Sequence, residues 1–425
     1  MLPLQEPLPP ASAWRYYAFN VLTGEWLHRE LPLSDVRLTT TLSGPGRMAA
    51  TIDPEYQALK TPDGGLVLDL WQTMIVAEAS GQLRGGGILT GITATGPKLA
   101  LDMTGVSGWL EGQPLRNNLD FGGKTDGTTG NGVDPLDVVR ALWGWLQGQP
   151  DGNLGVTLDS TSTPYRLGEW HNTRALKEDG SLGPAKEVAP NPVPIDRIWN
   201  PGRDKKPVGA TGKTVYWEYK LPWWDDIEIG QRVTTLATQT PFDWLESLRW
   251  ADAARESVVR HIHFGYPRLG KRLTREVFIE GANISELVAV RRDGDDYANS
   301  VTVYGSGEGS KQLRSTVSKR DGRLLRAKSV DRPDLSTVAE CKAVAEEELR
   351  RWSQVVDILG FSVRDHPNAA IGSFSVGDDV LVQTRAGWMP TRLWVRITAL
   401  DIAPETGEVT VTCRRSDRFD YPGGA

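Results

Sequence analysis

The chain changes its hydrophobic period several times, and the changes divide it. From Trp14 to about Leu110, apolar and polar residues alternate in short runs broken by turn residues. "RYYAFNV" and "EWLHREL" flank Thr23-Gly24, "VRLTTTL" and "RMAATID" flank Gly44-Pro45-Gly46, and "MIVAEA" and "LRGGGILTGITAT" flank Ser80-Gly81. A period of two places alternate side chains on one face of a strand, and glycine-containing turns join neighbouring strands, so three consecutive hairpins are predicted. That pattern points to an antiparallel barrel or sandwich. The segment "PEYQALK" at 54–60 interrupts it and is expected to cover one open end as a short helix.

After the Gly/Thr/Asn loop "GGKTDGTTGNG" at 122–132 the period becomes helical. Asp134 as N-cap, Pro135 at the first helical position and Asp137 near the positive helix end mark a start, and Leu136, Val139, Leu142, Trp143 and Leu146 form one stripe. The same signature in "TPFDWLESLRW", with Thr240, Pro241 and Asp243, predicts a second helix. Residues 150–230 between them are rich in Pro, Gly and charge and read as long loops with a strand in "TVYWEYKL" at 214–221. Strands follow in "RHIHFGYPRLGKRL", "EVFIEGANI" and "ELVAVRRDGDDYANSVTVYG", the last as a hairpin turning near Asp293-Gly294. A third helix is predicted from Leu335 to Trp352, with a capping box of Thr337 and Glu340 and a stripe of Val338, Cys341, Ala345, Leu349 and Trp352. From 355 to 415 the chain returns to strands.

At 425 residues the chain is too long for one ordinary core. A net charge of -6 with both signs mixed along the chain supplies no basic face for gripping nucleic acid. Cys341 and Cys413 make no zinc framework or disulfide scaffold and read as reduced core residues. No window approaches the ~20 apolar residues of a membrane span. Sixteen tryptophans raise the prospect of a subunit surface or a sugar-binding face.

Candidate chemistry is sparse. "PVGATGKT" at 207–214 lacks the first glycine of a phosphate loop, and "GSGEG" at 305–309 lacks dinucleotide-binding spacing. His261 and His263 share one face of a predicted strand and offer two metal ligands, but no carboxylate to join them can be located, so they read as polar strand residues. Asp225, Asp226 and Glu228 stand beside Trp223 and Trp224, the combination of acids and stacking rings that a glycosidase uses, while an exposed turn beside a packing Trp pair is the plainer reading. With no nucleophile elbow, metalloprotease motif or Cys-His context, no catalytic, metal or cofactor residue is assigned and the protein is expected not to be an enzyme.

The opening stretch, from "YYAFNVLTGEWLHRELPLSDVRL" to "SGPGRMAATID", resembles the start of the tail hub proteins of long-tailed bacteriophages, the baseplate hubs or tail-tip minor tail proteins. "TPFDWLESLRWAD", "HFGYPRLGKRL", "EGANI" and "DYANSVTVYGSG" are similar to the middle of that family, and "FSVGDDVLVQT" with "RITALDIAPETGEVTVT" to its last barrel. The resemblance implies a mainly β fold with α+β insertions, in which two small antiparallel barrels are joined by helical and mixed domains. It divides the chain into a first barrel (1–112), an α+β insertion with long loops (113–284), strands returning to the first barrel plus a connector (285–325), a helical segment (326–354) and a second barrel (355–425). It also implies a homotrimeric ring in a virion, at the tail tip. Its neighbours would be a distal tail or tail tube protein above and a tape-measure protein with tip, fibre or receptor-binding proteins below, and phage DNA would pass through without specific binding. The stop at Ala425 leads to the expectation of a hub without a lytic domain of its own. Trp199, Trp217, Trp223 and Trp224 are the candidate partner or glycan contacts, the alternative reading being a carbohydrate-binding or carbohydrate-hydrolysing tail protein that acts on the host envelope, with Trp170 added to the sugar-binding set.

Overall fold

A computed structural model describes residues 13–61, 64–121, 133–172, 215–240, 242–286, 288, 290–292, 297–307, 309, 312–332, 335, 337–353, 356–364, 366–385 and 390–416. The three predicted hairpins are present. β1 (Trp14–Asn20) pairs with β2 (Trp26–His28), β3 (Ser34–Thr41) with β4 (Arg47–Ile52), and β5 (Thr73–Ala79) with β6 (Gln82–Thr95), while β7 (Lys98–Thr104) inserts between β4 and β6. Alternation sets the faces: Met48, Ala50 and Ile52 of β4 and Leu99, Leu101 and Met103 of β7 turn into one core, with the less buried Ala49, Thr51, Ala100 and Asp102 between them. β5 is buried at every position because it separates two cores. Ile75 and Ala77 face the core of this N-terminal unit, and Met74 and Val76 face that of the insertion. The 54–60 segment contains the expected short helix, a 3-10 turn at Pro54–Ala58.

The insertion carries β8 (Leu119–Asp120), α1 (Pro135–Gln147), β9 (Val156–Leu158), β10 (Glu169–Asn172), β11 (Val215–Glu218), β12 (Lys220–Leu221), α2 (Ile229–Gln239), β13 (Asp243–Trp250) and β14 (Val258–Gly265). α1 starts as predicted, the Asp134 side chain accepting from Leu136 N at 2.9 Å, and buries Leu136, Val138, Val139, Leu142, Trp143 and Leu146. Each large apolar side chain so buried contributes about 2 kcal/mol. "TPFDWLESLRW" is not a helix: Asp243–Trp250 is a strand in an eight-pair antiparallel ladder with β14, and Thr240 closes the preceding helix instead of opening a new one. Its Trp- and Leu-rich pattern suits a pleated surface, and the ladder outweighs a cap signal that had no helix to start.

The connector and C-terminal unit comprise β15 (Arg272–Ile279), β16 (Val290–Arg292), β17 (Ser300–Tyr304), β18 (Arg314–Ser318), β19 (Ala327–Asp331), α3 (Val338–Trp352), β20 (Val356–Ile358), β21 (Gly360–Arg364), β22 (Asp379–Gln383), β23 (Arg392–Ala403) and β24 (Glu408–Arg415). The strands of 285–325 do not return to the N-terminal unit, nor do β16 and β17 form a hairpin. β16 pairs with β20, and β17 lies between β18 and β19 under α3. Val301 and Val303 find their apolar partners in Cys341, Ala345 and Leu349 of α3, which closes a small core of its own. The Thr337–Glu340 capping box forms, but Val338 is exposed, so the buried stripe begins at Cys341. Both cysteines are buried, and neither is in a disulfide.

The two β-rich ends meet in one twelve-stranded sheet. Along one edge of β23, Arg392–Arg396 pairs with β22 and Ala399–Ile402 pairs with β3; the other edge holds β24. The register against β24 shifts between Ile397 and Ala399, and there Thr398 O accepts from Leu42 N at 2.9 Å. A core of Phe278, Phe361, Val380, Val395, Ile397 and Val411 fills the C-terminal unit. The loop before β15 crosses the loop before β22 so closely that a Cβ on Gly270, at φ +96°, would lie 2.1 Å from Gly377 O. Gly270→Ala therefore combines a left-handed backbone with a main-chain clash and should lower stability by ~3 kcal/mol in urea unfolding. Gly407→Ala, at φ +64° with open space around it, should cost only ~1 kcal/mol.

Candidate functional site at the junction of the β units

β13 holds the junction through two acids three residues apart, which a strand places on opposite faces. Asp243 faces the C-terminal unit, where it pairs with the buried Arg396 of β23 and accepts from Leu269 N at 2.8 Å. Arg396 also donates to Leu269 O at 3.0 Å and Gly377 O at 3.2 Å, so its Nε and Nη2 have three acceptors between them. Beside it, the fully buried Asp379 accepts from Arg272 at 3.1 Å and from Ser416 Oγ at 2.5 Å. Glu246 faces the N-terminal unit. Its Oε1 accepts from Gly46 N at 2.5 Å, and its Oε2 from Ser107 N at 3.0 Å and Ser107 Oγ at 2.9 Å. Burial pushes its carboxyl up, against the opposing pull of those hydrogen bonds. A Cβ on Gly105 would stand 1.7 Å from Glu246 Oε1, so the glycine makes room for the carboxylate. In the loop crossing, Asp378 accepts from Lys271 N and Ser375 N, each at 2.9 Å, yet burial pushes its carboxyl up to about 6. A cavity of about 110 Å³ lies where the parts meet, lined by Leu38, Arg84, Glu246, Phe374 and Leu400 among others.

The sequence-predicted contact residues lie elsewhere. Trp223 and Trp224 are exposed, 56% and 64%, and meet edge to face at 6.0 Å. Trp217 sits in β11 opposite Trp170 of β10, and Trp199 is outside the described residues, as are 173–214, the loop 122–132 and the turn at 293–294. The three acids stand in different environments. Asp225 and Asp226 are exposed, whereas Glu228 is the N-cap of α2, accepting from Gly230 N at 2.9 Å, Gln231 N at 2.5 Å and Gly112 N at 2.8 Å. Glu228 thus fastens a helix and a turn, and leaves two solvated carboxylates beside the Trp pair.

His261 and His263 do share a face of β14, with rings 4.4 Å apart, and the fold brings Asp159, just past the end of β9, to them. Ligand atoms of all three lie within 4.8 Å of one another. Sequence reasoning missed Asp159 because only the parallel pairing of β9 with β14 makes it a neighbour. Burial pushes both imidazoles down, His263 to about 4, with the adjacent His261 adding to the effect on His263 and Asp159 opposing it on both.

The fold is similar to that of solved tail proteins. It is similar to the 43 kDa tail protein of prophage MuSo2 from Shewanella oneidensis, at a TM-score of 0.51 and 11% identity over 96% of this chain and 100% of that one. A tail protein from Neisseria meningitidis MC58 matches at a TM-score of 0.50 and 13% identity, over 95% and 97% of the two chains. No protein-family model and no curated protein matches the chain.

Glu228→Ala should cost ~1–2 kcal/mol by removing a cap, whereas Asp225→Asn with Asp226→Asn should leave the unfolding midpoint unchanged; chemical denaturation of both variants checks this. The raised carboxyl of Asp378 sets a pH dependence. A native pKa above the unfolded one means stability that is complete below about pH 4 and is lost as pH rises through about 6. Denaturant midpoints at pH 4.5 and 7.5 should show that the difference between the parent protein and Asp378→Asn shifts in the variant's favour at the higher pH.

Proposed function

We propose that the protein is a structural hub of a phage tail tip, in which three copies form a ring that joins a sixfold tail tube to a threefold tip and lines the passage for DNA. The observation that carries this reading is the β23–β3 pairing, which sets two β units of one chain side by side in a continuous sheet. Three such chains present six β units to a tube and three chains to a tip, and so reconcile the two symmetries without a second kind of subunit. A closed ring needs heterologous contacts, and the exposed Leu70 and Trp71 of the N-terminal unit suit them.

In this reading a distal tail or tail tube protein binds above, and tape-measure, fibre or receptor-binding proteins below. Trp223 and Trp224 are solvent-facing anchors for one of these partners. In this reading the role is structural, and it is supported by Glu228 serving as a helix cap while Asp225 and Asp226 are solvated. A net charge of -6 suits a conduit that lets DNA pass without gripping its phosphates. Among the described residues no helix is long and apolar enough to cross a membrane.

Native mass spectrometry of the purified chain over a range of concentrations, with cross-linking of the chain bound to tail tubes, tests the ring. Three copies are expected, with cross-links from Leu70 and Trp71 neighbours to an adjacent copy. A monomer under every condition, tube-bound included, would sink the proposal.

A further inference from the structure

We propose that Asp159, His261 and His263 form a binding site for a divalent transition-metal ion of the zinc class, on the outer face of the insertion sheet. The strand places the pair: along β14, Arg260, Ile262 and Phe264 are buried, and the intervening His261 and His263 stand half-buried on the opposite face. Asp159 reaches them because β9 runs parallel beside β14 and its chain continues past Leu158, with Asp159 N donating to Ile262 O at 3.2 Å. The carboxylate is then pinned by Phe264 N at 2.8 Å to Oδ2 and Thr161 N at 3.1 Å to Oδ1. Each bonded oxygen keeps a further lone pair for a cation.

Hydrogen bonds also prepare the imidazoles. With Thr157 Oγ1 donating its proton to Arg260 O at 3.2 Å, its 2.7 Å contact with His261 Nδ1 is made by an Nδ1–H donating to the hydroxyl. In that tautomer the Nε2 lone pair of His261 is open. On the other ring, Ser247 Oγ lies 2.9 Å from His263 Nε2. With Nε2–H donating to that hydroxyl, Nδ1 is open. One ring nitrogen held by an outer partner, with the other left open, is the arrangement that orients metal-bound histidines.

The donor set selects the ion. Two neutral imidazoles and one carboxylate suit zinc and its neighbours and not calcium or magnesium, which take oxygen ligands. Bond lengths of about 2.0–2.2 Å in a tetrahedral site set ligand atoms roughly 3.3–3.6 Å apart, so atoms now within 4.8 Å of one another must close by up to about 1.5 Å. Three protein ligands leave a tetrahedral position for water or for a side chain of a neighbouring molecule. The ion would tie the segment after β9 to β14.

The test uses the full chain, stripped with chelator and titrated calorimetrically with Zn²⁺, and in parallel with Co²⁺ followed by visible absorption. One ion per chain is expected, with a rise in melting temperature and a cobalt spectrum of tetrahedral intensity. His263→Gln and Asp159→Asn should each weaken binding at least tenfold, and His28→Gln with His366→Gln should leave it intact. If a variant is unfolded by circular dichroism, the histidine proton resonances of the parent protein decide instead: Zn²⁺ must move two of them and not the others. Binding below one equivalent, unchanged affinity in folded site variants, or resonances that do not move would overturn the proposal.

Discussion

The structure depends on one strand with more partners than a strand ordinarily has. β23 is long enough to pair with β22 and then, past the shift at Thr398, to offer the same edge to β3. Main-chain donors and acceptors at a sheet edge must find partners or remain templates for unwanted pairing. Here each terminal unit covers part of the other's edge. Ile402 packs against both of their cores, so the seam has apolar contact as well as hydrogen bonds.

β13 then sets the angle between the parts. Its two faces bind different bodies, Asp243 with Leu245 toward the C-terminal unit and Trp244 with Glu246 toward the rest. Buried ionic groups add little net stability over apolar replacements of the same shape, but breaking such a pair is costly. Asp243–Arg396 and the Glu246 clamp therefore act mainly as geometric constraints, which admit one relative placement of three cores.

Much of the local structure was legible. The hairpins announce themselves because turn residues and alternation agree, and α1 and α3 because a cap precedes a stripe. α2 was hidden: Ile229, Val233 and Leu236 have helical spacing, but a threonine-rich run and the stronger cap signal at Thr240 drew attention to the wrong segment. Pairings between distant strands carry no local mark, which is why β16, β17, the β23–β3 seam and the meeting of Asp159 with the histidines were not readable. The tryptophans misled in part. Trp143 and Trp244 are buried, and Trp26 and Trp250 stack with Tyr17 inside the insertion interface, so their abundance serves internal packing at least as much as outward contact.

The seam also has a history in time. Its outer contact, Asp35 N to Glu405, joins residues 370 apart in the chain. During synthesis the N-terminal unit emerges long before the strand that completes it, so the free side of β3 waits exposed through nearly the whole of translation. Contacts this distant form late and slowly, and an open edge in the interval is an invitation to aggregate. Two nascent copies on one message carry the same open edge, and whatever keeps them apart until β23 arrives, whether charge, speed of elongation or a chaperone, bears directly on how much assembled protein a cell can make.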